Sequence, residues 1–130
     1  MIITINNYKS ELGEDKIDWH LISEYQILSE EFIREFEDEV VWKNISIYQK
    51  LSEGFIREFE DKVNWYDISN SQKLSEEFIR EFQDRVSWRQ ISCTKKLSDE
   101  FKQEFEKKLD FKSYGINQVL SEKFIENRKR

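Results

Sequence analysis

One sequence pattern recurs at a constant interval of 23 residues along most of this chain. Its clearest copy begins at Trp65 and reads W-x-x-I-S-x-x-Q-x-L-S-E-E-F-I-R-E-F. The aromatic residues that open the successive copies are Trp19, Trp42, Trp65, Trp88 and Phe111. Because the interval never changes, no insertion separates the copies, and the chain is constrained to a tandem array of similar structural units.

The apolar residues of each copy divide it into two short helices. Counted from the tryptophan as position zero, residues of buried type stand at positions 0, 3, 7, 9, 13, 14, 17 and 21. Steps of three, four and seven keep side chains on one helix face. The steps from 7 to 9 and from 21 to the next tryptophan are only two residues, which turns a side chain by about 200° on a helix. We therefore predict a helix A from position 0 to about 8 and a helix B from about 11 to 21.

Polar residues mark where these helices begin. Position 10 is serine in every copy, at Ser29, Ser52, Ser75, Ser98 and Ser121, and an acidic residue follows each serine. Serine favours the N-cap, and a carboxylate favours the first helical turn. The residue before the aromatic is Asp18, Val41, Asn64, Ser87 or Asp110. Of these, Ser87 with Gln90 matches the S-x-x-Q capping box, whereas Val41 offers no cap.

The fold class that follows is all-α, an α-solenoid of short αα-hairpin repeats. The absence of proline, the three glycines and the 37% of charged residues agree with it. We assign residues 1–17 to an N-terminal cap, with a degenerate helix from Asn6 or Asn7 to about Leu12. Residues 18–126 form the array of five units, the last two degenerate, and residues 127–130 a basic tail. The length suits a single domain.

The unit W-x-x-I-S-x-x-Q-x-L-S-E-x-F-I-x-E-F resembles the short helical repeat found in many uncharacterised proteins of giant DNA viruses, with relatives in phages and bacteria. The resemblance covers residues 18 to about 126. It implies a right-handed α-solenoid of viral or phage type and brings no established chemistry. The fourth and fifth copies depart from the pattern at Lys95, Lys102, Phe111 and Tyr114.

The composition argues against several classes of function. His20 and Cys93 are the only histidine and the only cysteine, so neither a metal cluster nor a nucleophile with a histidine base is expected. We therefore predict no enzyme, no catalytic residue, no metal and no cofactor. The N-terminus lacks the features of a signal peptide, and no apolar run approaches the roughly 20 residues that cross a bilayer. A soluble cytoplasmic protein without membrane contact is expected.

Two sets of recurrent polar residues are predicted to support the fold. The glutamines Gln26, Gln49, Gln72 and Gln118 share a helix face with the tryptophans, and we expect them to be partly buried and to bond backbone between units. Binding a partner's peptide backbone is the alternative. The charged residues of helix B form i, i+4 series, predicted to be solubilising pairs within one helix. They are Glu30-Arg34-Asp38, Glu53-Arg57-Asp61, Glu76-Arg80-Asp84, Glu58-Lys62, Glu81-Arg85 and Glu104-Lys108.

Positions that vary between copies are better candidates for binding, because packing does not dictate them. Positions 1 and 8 share one face and are occupied by His20, Lys43, Tyr66, Arg89, Lys112, Ile27, Lys50, Lys73, Lys96 and Val119, of which six are basic and none acidic. This basic stripe either pairs with helix B carboxylates of neighbouring units or meets an anionic partner. Positions 2, 5 and 6 add Leu21, Tyr25, Ile47 and Tyr48. The predicted partner-binding residues are Tyr25, Ile47, Tyr48, Lys43, Lys50, Tyr66, Lys73, Arg89 and Lys96.

The leading functional hypothesis is a non-enzymatic protein–protein interaction scaffold that binds through the variable face of helix A. A small acidic inhibitor of a nucleic-acid enzyme, of the phage anti-defence type, is the alternative. Residues 1–64 carry 7 basic and 15 acidic side chains, with Glu35, Glu37, Asp38 and Glu39 close together. Residues 65–130 carry 14 basic and 12 acidic side chains, so head-to-tail self-assembly is a further alternative to a monomer. Nucleic-acid binding by the stripe and by Arg128-Lys129-Arg130 is disfavoured by the net charge of −6.

Overall fold

A computed structural model describes residues 17–109, and these residues form eight short α-helices. In chain order they are α1 (Trp19–Tyr25), α2 (Glu30–Glu35), α3 (Trp42–Tyr48), α4 (Glu53–Glu58), α5 (Trp65–Ser71), α6 (Glu76–Glu81), α7 (Trp88–Thr94) and α8 (Asp99–Glu104). Each odd-numbered helix begins at a recurrent tryptophan and is a helix A, and each even-numbered helix is a helix B. The predicted N-terminal cap helix, the fifth copy and the basic tail lie outside residues 17–109 and stay predictions.

The chain divides into two compact units between Gln72 and Lys73. In the first unit α1 packs against α3, and α3 packs against α5. The predicted all-α solenoid of short hairpins is confirmed in each unit, with α1–α2 and α3–α4 in the first and α7–α8 in the second. The sequence predicted one domain, whereas the division falls in the linker between the two helices of the third repeat. Repeats contact mainly their neighbours, so no single core is needed to hold such a chain together.

A serine side chain caps the N-terminus of each helix B from α2 to α8, as predicted. The hydroxyls of Ser29, Ser52, Ser75 and Ser98 accept the backbone N–H three residues later at 3.0 to 3.2 Å. Asp18 and Asn64 cap α1 and α5 in the same way, and Val41 makes no side-chain cap. The predicted capping box at Ser87 is wrong, since its hydroxyl does not cap α7. The backbone ψ angle is 103° at Ser87 and 155° at Ser29. At a ψ of about 100°, the longer side chains of Asp18 and Asn64 reach the helix, whereas the short serine hydroxyl does not.

Both helices end earlier than the sequence predicted. Helix A ends at position 6, because the next residue, such as Gln49 with φ −91° and ψ 142°, is extended. Helix B ends after six residues at a phenylalanine such as Phe59, where ψ is 33°, and a turn follows that the N–H of Val63 closes on the Phe59 carbonyl at 3.1 Å. The Trp65 indole N–H donates to the Glu60 carbonyl at 2.9 Å. A longer helix would have used that carbonyl itself, so the tryptophan stabilises the break.

Aromatic rings fill the space between the two helices of a repeat. The ring of Trp42 lies 6.2 Å from that of Phe55 and 5.1 Å from that of Phe59. The same triads form at Trp19, Phe32 and Phe36, and at Trp88, Phe101 and Phe105. The phenylalanines of position 13 are buried and the tryptophans half-buried. The tryptophans are therefore part of the core, as predicted.

Buried glutamines join neighbouring repeats in the first unit. The side-chain amide of Gln49 donates to the carbonyls of Ser23 at 2.9 Å and Gln26 at 2.7 Å, and its oxygen accepts the N–H of Leu28 at 3.0 Å. Gln72 makes the equivalent three bonds one repeat later. Their predicted bonding to backbone is confirmed. Because these amides are already engaged inside the array, they do not serve a partner's peptide backbone.

A recurrent buried serine, for which the repeat pattern predicted no role, supports the same junctions. The serine of position 4 is fully buried at Ser23, Ser46, Ser69 and Ser92. The hydroxyl of Ser46 donates to the Trp42 carbonyl at 2.7 Å and accepts the N–H of Asn64 at 3.0 Å. Its recurrence directly after the isoleucine was the available signal. The serines at Ser23 and Ser46 thus accept the N–H of the residue directly before the next tryptophan.

Four ion pairs of helix B and the turn after it connect successive repeats rather than turns of one helix. Arg34 makes a two-bond contact with Glu58 at 2.8 and 2.9 Å, and Lys62 pairs with Asp38 at 3.0 Å. Arg80 with Glu104 and Lys108 with Asp84 repeat this arrangement in the second unit. The predicted pairing within one helix is wrong for these residues. Helix B is six residues long, so the third member of each series lies beyond its end, and the neighbouring helix B offers the nearer partner.

The Arg34–Glu58 contact makes a testable contribution to stability. Hydrogen bonding from Arg34 lowers the pKa of Glu58. Because the folded value lies below the unfolded value of about 4.3, the stabilisation is fully present above the unfolded pKa. It is lost as the pH falls through the folded pKa. We expect Glu58→Gln to be less stable than the wild type near neutral pH, and this difference to shrink as the pH falls through the acid range. Urea titrations across the range measure it.

Glu35→Gln is the matched control, because Glu35 is an exposed carboxylate on α2 that pairs with no cation in residues 17–109. A Glu58→Gln deficit that stayed constant at every pH would show that the ion pair does not contribute to stability in this way.

Two lysines replace recurrent core residues in the fourth repeat. Lys102 stands at the isoleucine position, and its side chain is 6% exposed with its ammonium 3.9 Å from Asp99. Lys95 stands at the glutamine position, and burial lowers the pKa of its ammonium. The aliphatic part of a lysine can fill an apolar site while the nitrogen reaches a polar one, which explains how Lys102 takes the place of an isoleucine.

Candidate protein-binding surface

Within residues 17–109, the large apolar side chains that remain exposed all belong to helix A or to the linker directly after it. They are Leu21, Tyr25, Ile27, Tyr48 and Tyr66, each between 48% and 69% exposed. All five lie in the first unit. The apolar side chains of helix B are buried or half-buried there. We call these five residues, together with Lys43, Ile47 and Lys50, the helix A face.

The outward direction of this face follows from the geometry of a seven-residue helix. With 100° between successive residues, positions 3 and 4 turn inward and positions 1 and 5 turn outward, whereas position 2 is exposed at Leu21 in α1 and buried at Asp67 in α5. In α1 this buries Ile22 and Ser23 and exposes Leu21 and Tyr25. Since α1, α3 and α5 pack side by side, their outward positions form one surface.

Tyr48 lies at the junction between α1 and α3. The negative charge of Glu24 raises the pKa of the Tyr48 phenol, with desolvation and hydrogen bonding to Glu24 adding to it. Tyr25 and Lys43 lie close enough to act on the same phenol. The structure thus brings together three of the predicted binding residues, Tyr25, Lys43 and Tyr48, and places Glu24 beside the Tyr48 phenol. Ile47 is half-buried beside them.

The cations of the first unit differ in their surroundings. Lys43 pairs with Asp67 at 2.9 Å, and its side chain is 62% exposed while that of Asp67 is 7% exposed. The carboxylate is therefore covered and the ammonium faces water. Pairing of the stripe with helix B is wrong for Lys43, because α3 and α5 are adjacent and bring Asp67 of helix A closer. Lys50 is exposed in the linker after α3 and pairs with no carboxylate among residues 17–109.

The remaining predicted cations belong to the second unit. Lys73, Arg89 and Lys96 are exposed there, and no large apolar side chain is exposed in its described part, residues 73–109. Hence the aromatic members of the predicted site lie in the first unit and these three cations in the second. Of the other stripe residues, His20 is exposed on α1, whereas Lys112 and Val119 lie outside the described residues.

The acidic residues that suggested a phosphate mimic lie on α2 and the turn after it. Glu35, Asp38 and Glu39 are exposed and Glu37 is half-buried. Asp38 already pairs with Lys62 of the next repeat. This acidic group is therefore on helix B and its turn, a different element from the helix A face.

Metal-binding clusters and membrane-spanning helices are absent from the part of the chain that the structure describes. No three histidine, cysteine, aspartate or glutamate side chains between residues 17 and 109 come together to hold a metal ion. None of the helices α1 to α8 has the length and apolar character to span a membrane.

Comparisons of this chain with protein-family models, with curated proteins and with solved structures found no match. Function is therefore inferred from the geometry and chemistry of the helix A face.

Proposed function

We propose that this chain is a non-enzymatic helical-repeat protein that binds a protein partner through the helix A face of its first unit. The observation that carries the proposal is the concentration of exposed apolar side chains on that one face, three of them tyrosines. Tyrosine is a frequent anchor of protein interfaces, because its ring buries a large area with few rotatable bonds and its hydroxyl still finds a polar partner.

The packing beneath the face supports this proposal. Gln49 and Ser46 fix α3 against its neighbours through hydrogen bonds to their backbone. The tyrosines therefore project from a framework that does not have to be ordered when a partner binds. A preorganised surface retains more of its contact energy as affinity. Truncation of an anchor to alanine is then expected to weaken binding by about 2 kcal/mol, roughly 30-fold.

Site-specific photo-cross-linking tests the proposal. A photoreactive phenylalanine analogue is placed at Tyr25 or at Tyr48 of the full chain, which is then exposed to an extract of the cells that produce it. We expect both positions to cross-link to the same protein, because the two side chains lie close together. The double variant Tyr25→Ala/Tyr48→Ala should retain at least 30-fold less of that protein in solution binding.

The matched control places the same analogue at Glu35, which is exposed on α2. No cross-link to the partner is expected from that position. Equal cross-linking from Glu35 and Tyr25, or unchanged retention by the double variant, would contradict binding through the helix A face.

The other hypotheses stay predictions. A viral or phage origin rests on the resemblance of the repeat. The acidic inhibitor has less support than the helix A face, because one of its four acidic residues is engaged by Lys62. A mass measurement in dilute solution distinguishes a monomer from head-to-tail assembly.

A further inference from the structure

We infer that the partner presents an acidic amphipathic protein segment to the helix A face, with aspartate or glutamate beside aromatic or aliphatic side chains. This inference rests on the proposed function and specifies the chemistry of the partner.

The exposed charges of the helix A face are positive. Its exposed charged groups are the ammoniums of Lys43 and Lys50. The carboxylate that neutralises Lys43, on Asp67, is buried beneath it. Glu24 is half-buried and close to the Tyr48 phenol. A partner that approaches this face therefore meets lysines, although the N-terminal half of the chain has an excess of acidic residues.

These lysines differ from the cations of helix B in the same unit. Arg34 and Lys62 are held by carboxylates of the adjacent repeat at 2.8 and 3.0 Å. A partner carboxylate would have to displace an existing pair there. Lys50 has no such pair within residues 17–109, so a carboxylate gains an interaction at Lys50 without breaking one. Complementary charge of this kind selects the partner and speeds its approach.

The apolar side chains of the helix A face indicate which other residues the partner segment contains. Leu21 and Ile27 are aliphatic and contribute no stacking surface, so they fit apolar protein side chains better than nucleotides. Binding to a phosphate backbone draws on several cationic contacts, and this face has two lysines. Charge and hydrophobicity together therefore favour a protein segment over a nucleic acid.

The dimensions of the face bound the length of the segment. Each helix A has seven residues and is about 10 Å long. Packed helices lie about 8 to 10 Å apart, so three adjacent helices present a surface about 20 to 30 Å across. A helix of about 15 residues spans that distance, and amphipathic helices commonly bind such surfaces by their apolar side.

Selection from a random peptide library tests the inference. Displayed 16-residue peptides, of about the inferred length, are selected on the immobilised full chain, and the enriched peptides are synthesised for binding by fluorescence anisotropy. We expect enrichment of aspartate or glutamate together with aromatic or aliphatic residues. Lys50→Glu should weaken the binding of these peptides by about tenfold or more, and Lys50→Arg should preserve it.

Lys96→Glu is the matched control, because Lys96 is the exposed lysine at the equivalent linker position of the fourth repeat. It should leave peptide binding unchanged. Enriched peptides that are neutral or basic, yet lose binding in Tyr25→Ala/Tyr48→Ala, would overturn the inference and leave the proposed function standing. So would a 20-nucleotide oligothymidine that bound the chain with the same dependence on Lys50. Peptides insensitive to the tyrosine variant, or no enrichment at all, would count against both proposals.

Discussion

Replacing Gln49 with alanine is expected to destabilise the chain by about 3 kcal/mol, the combined effect of three lost hydrogen bonds at a buried site. The side chain of Gln49, in the second repeat, forms hydrogen bonds with three backbone groups of the first repeat. The alanine variant leaves the N–H of Leu28 without its acceptor in a buried position. Chemical denaturation of the purified chain measures the change in the free energy of unfolding.

Two further variants identify the cause of this loss. Gln103→Ala removes an exposed glutamine on α8 and should change stability by less than about 0.5 kcal/mol. Gln49→Glu keeps the shape of the side chain but presents a second oxygen to the carbonyls of Ser23 and Gln26, so it should destabilise as well. If Gln49→Glu matched the wild type near neutral pH, packing rather than hydrogen bonding would explain the role of Gln49.

Replacing Phe55 with alanine is expected to cost about 3 to 5 kcal/mol, the range for truncating a buried phenylalanine. The ring is 1% exposed and contacts the rings of Trp42 and Phe59. The guanidinium of Arg34 lies 5.4 Å above it, so the truncation also removes a contact with the preceding repeat. The cavity cannot close easily, because the surrounding helices are fixed by hydrogen bonds.

Tyr66→Ala is the matched aromatic truncation in the same unit, at a side chain that is 55% exposed. It should cost less than about 0.5 kcal/mol. Because small domains have a total stability of about 5 to 15 kcal/mol, Phe55→Ala can leave the chain unfolded. Phe55→Leu then serves as a milder probe. Equal losses for Phe55→Leu and Tyr66→Ala would contradict the assignment of Phe55 to the core.

The parts of the fold that depend on residues close together in the sequence were predictable. Serine at position 10 caps a helix wherever the structure describes it, and the buried positions match the phase of the apolar residues. Ser87 is an exception, because its hydroxyl does not cap α7. A serine, an aspartate and an asparagine all suit an N-cap, but the backbone ψ decides whether a short hydroxyl reaches the helix.

The helix A face was only partly predictable. The variable positions pointed to Tyr25, Tyr48 and the lysines, because no packing rule explained those residues. The sequence did not reveal that Asp67 lies beneath Lys43 or that Lys50 has no partner within residues 17–109. Those two facts depend on the distance between adjacent helices. They provide the basis for proposing an acidic partner segment.

The sequence by itself determined that the chain is a series of short αα-hairpins, because a constant period and its two phase changes depend only on helix geometry. It also determined which side chains are buried in most of the described repeats. The tertiary structure decided how the polar residues pair. Arg34 pairs with Glu58 and not with the acidic residues of its own helix, because stacking places the next repeat beside it. The spacing of residues within one repeat does not depend on the distance between neighbouring repeats, so the sequence pattern could not predict this pairing.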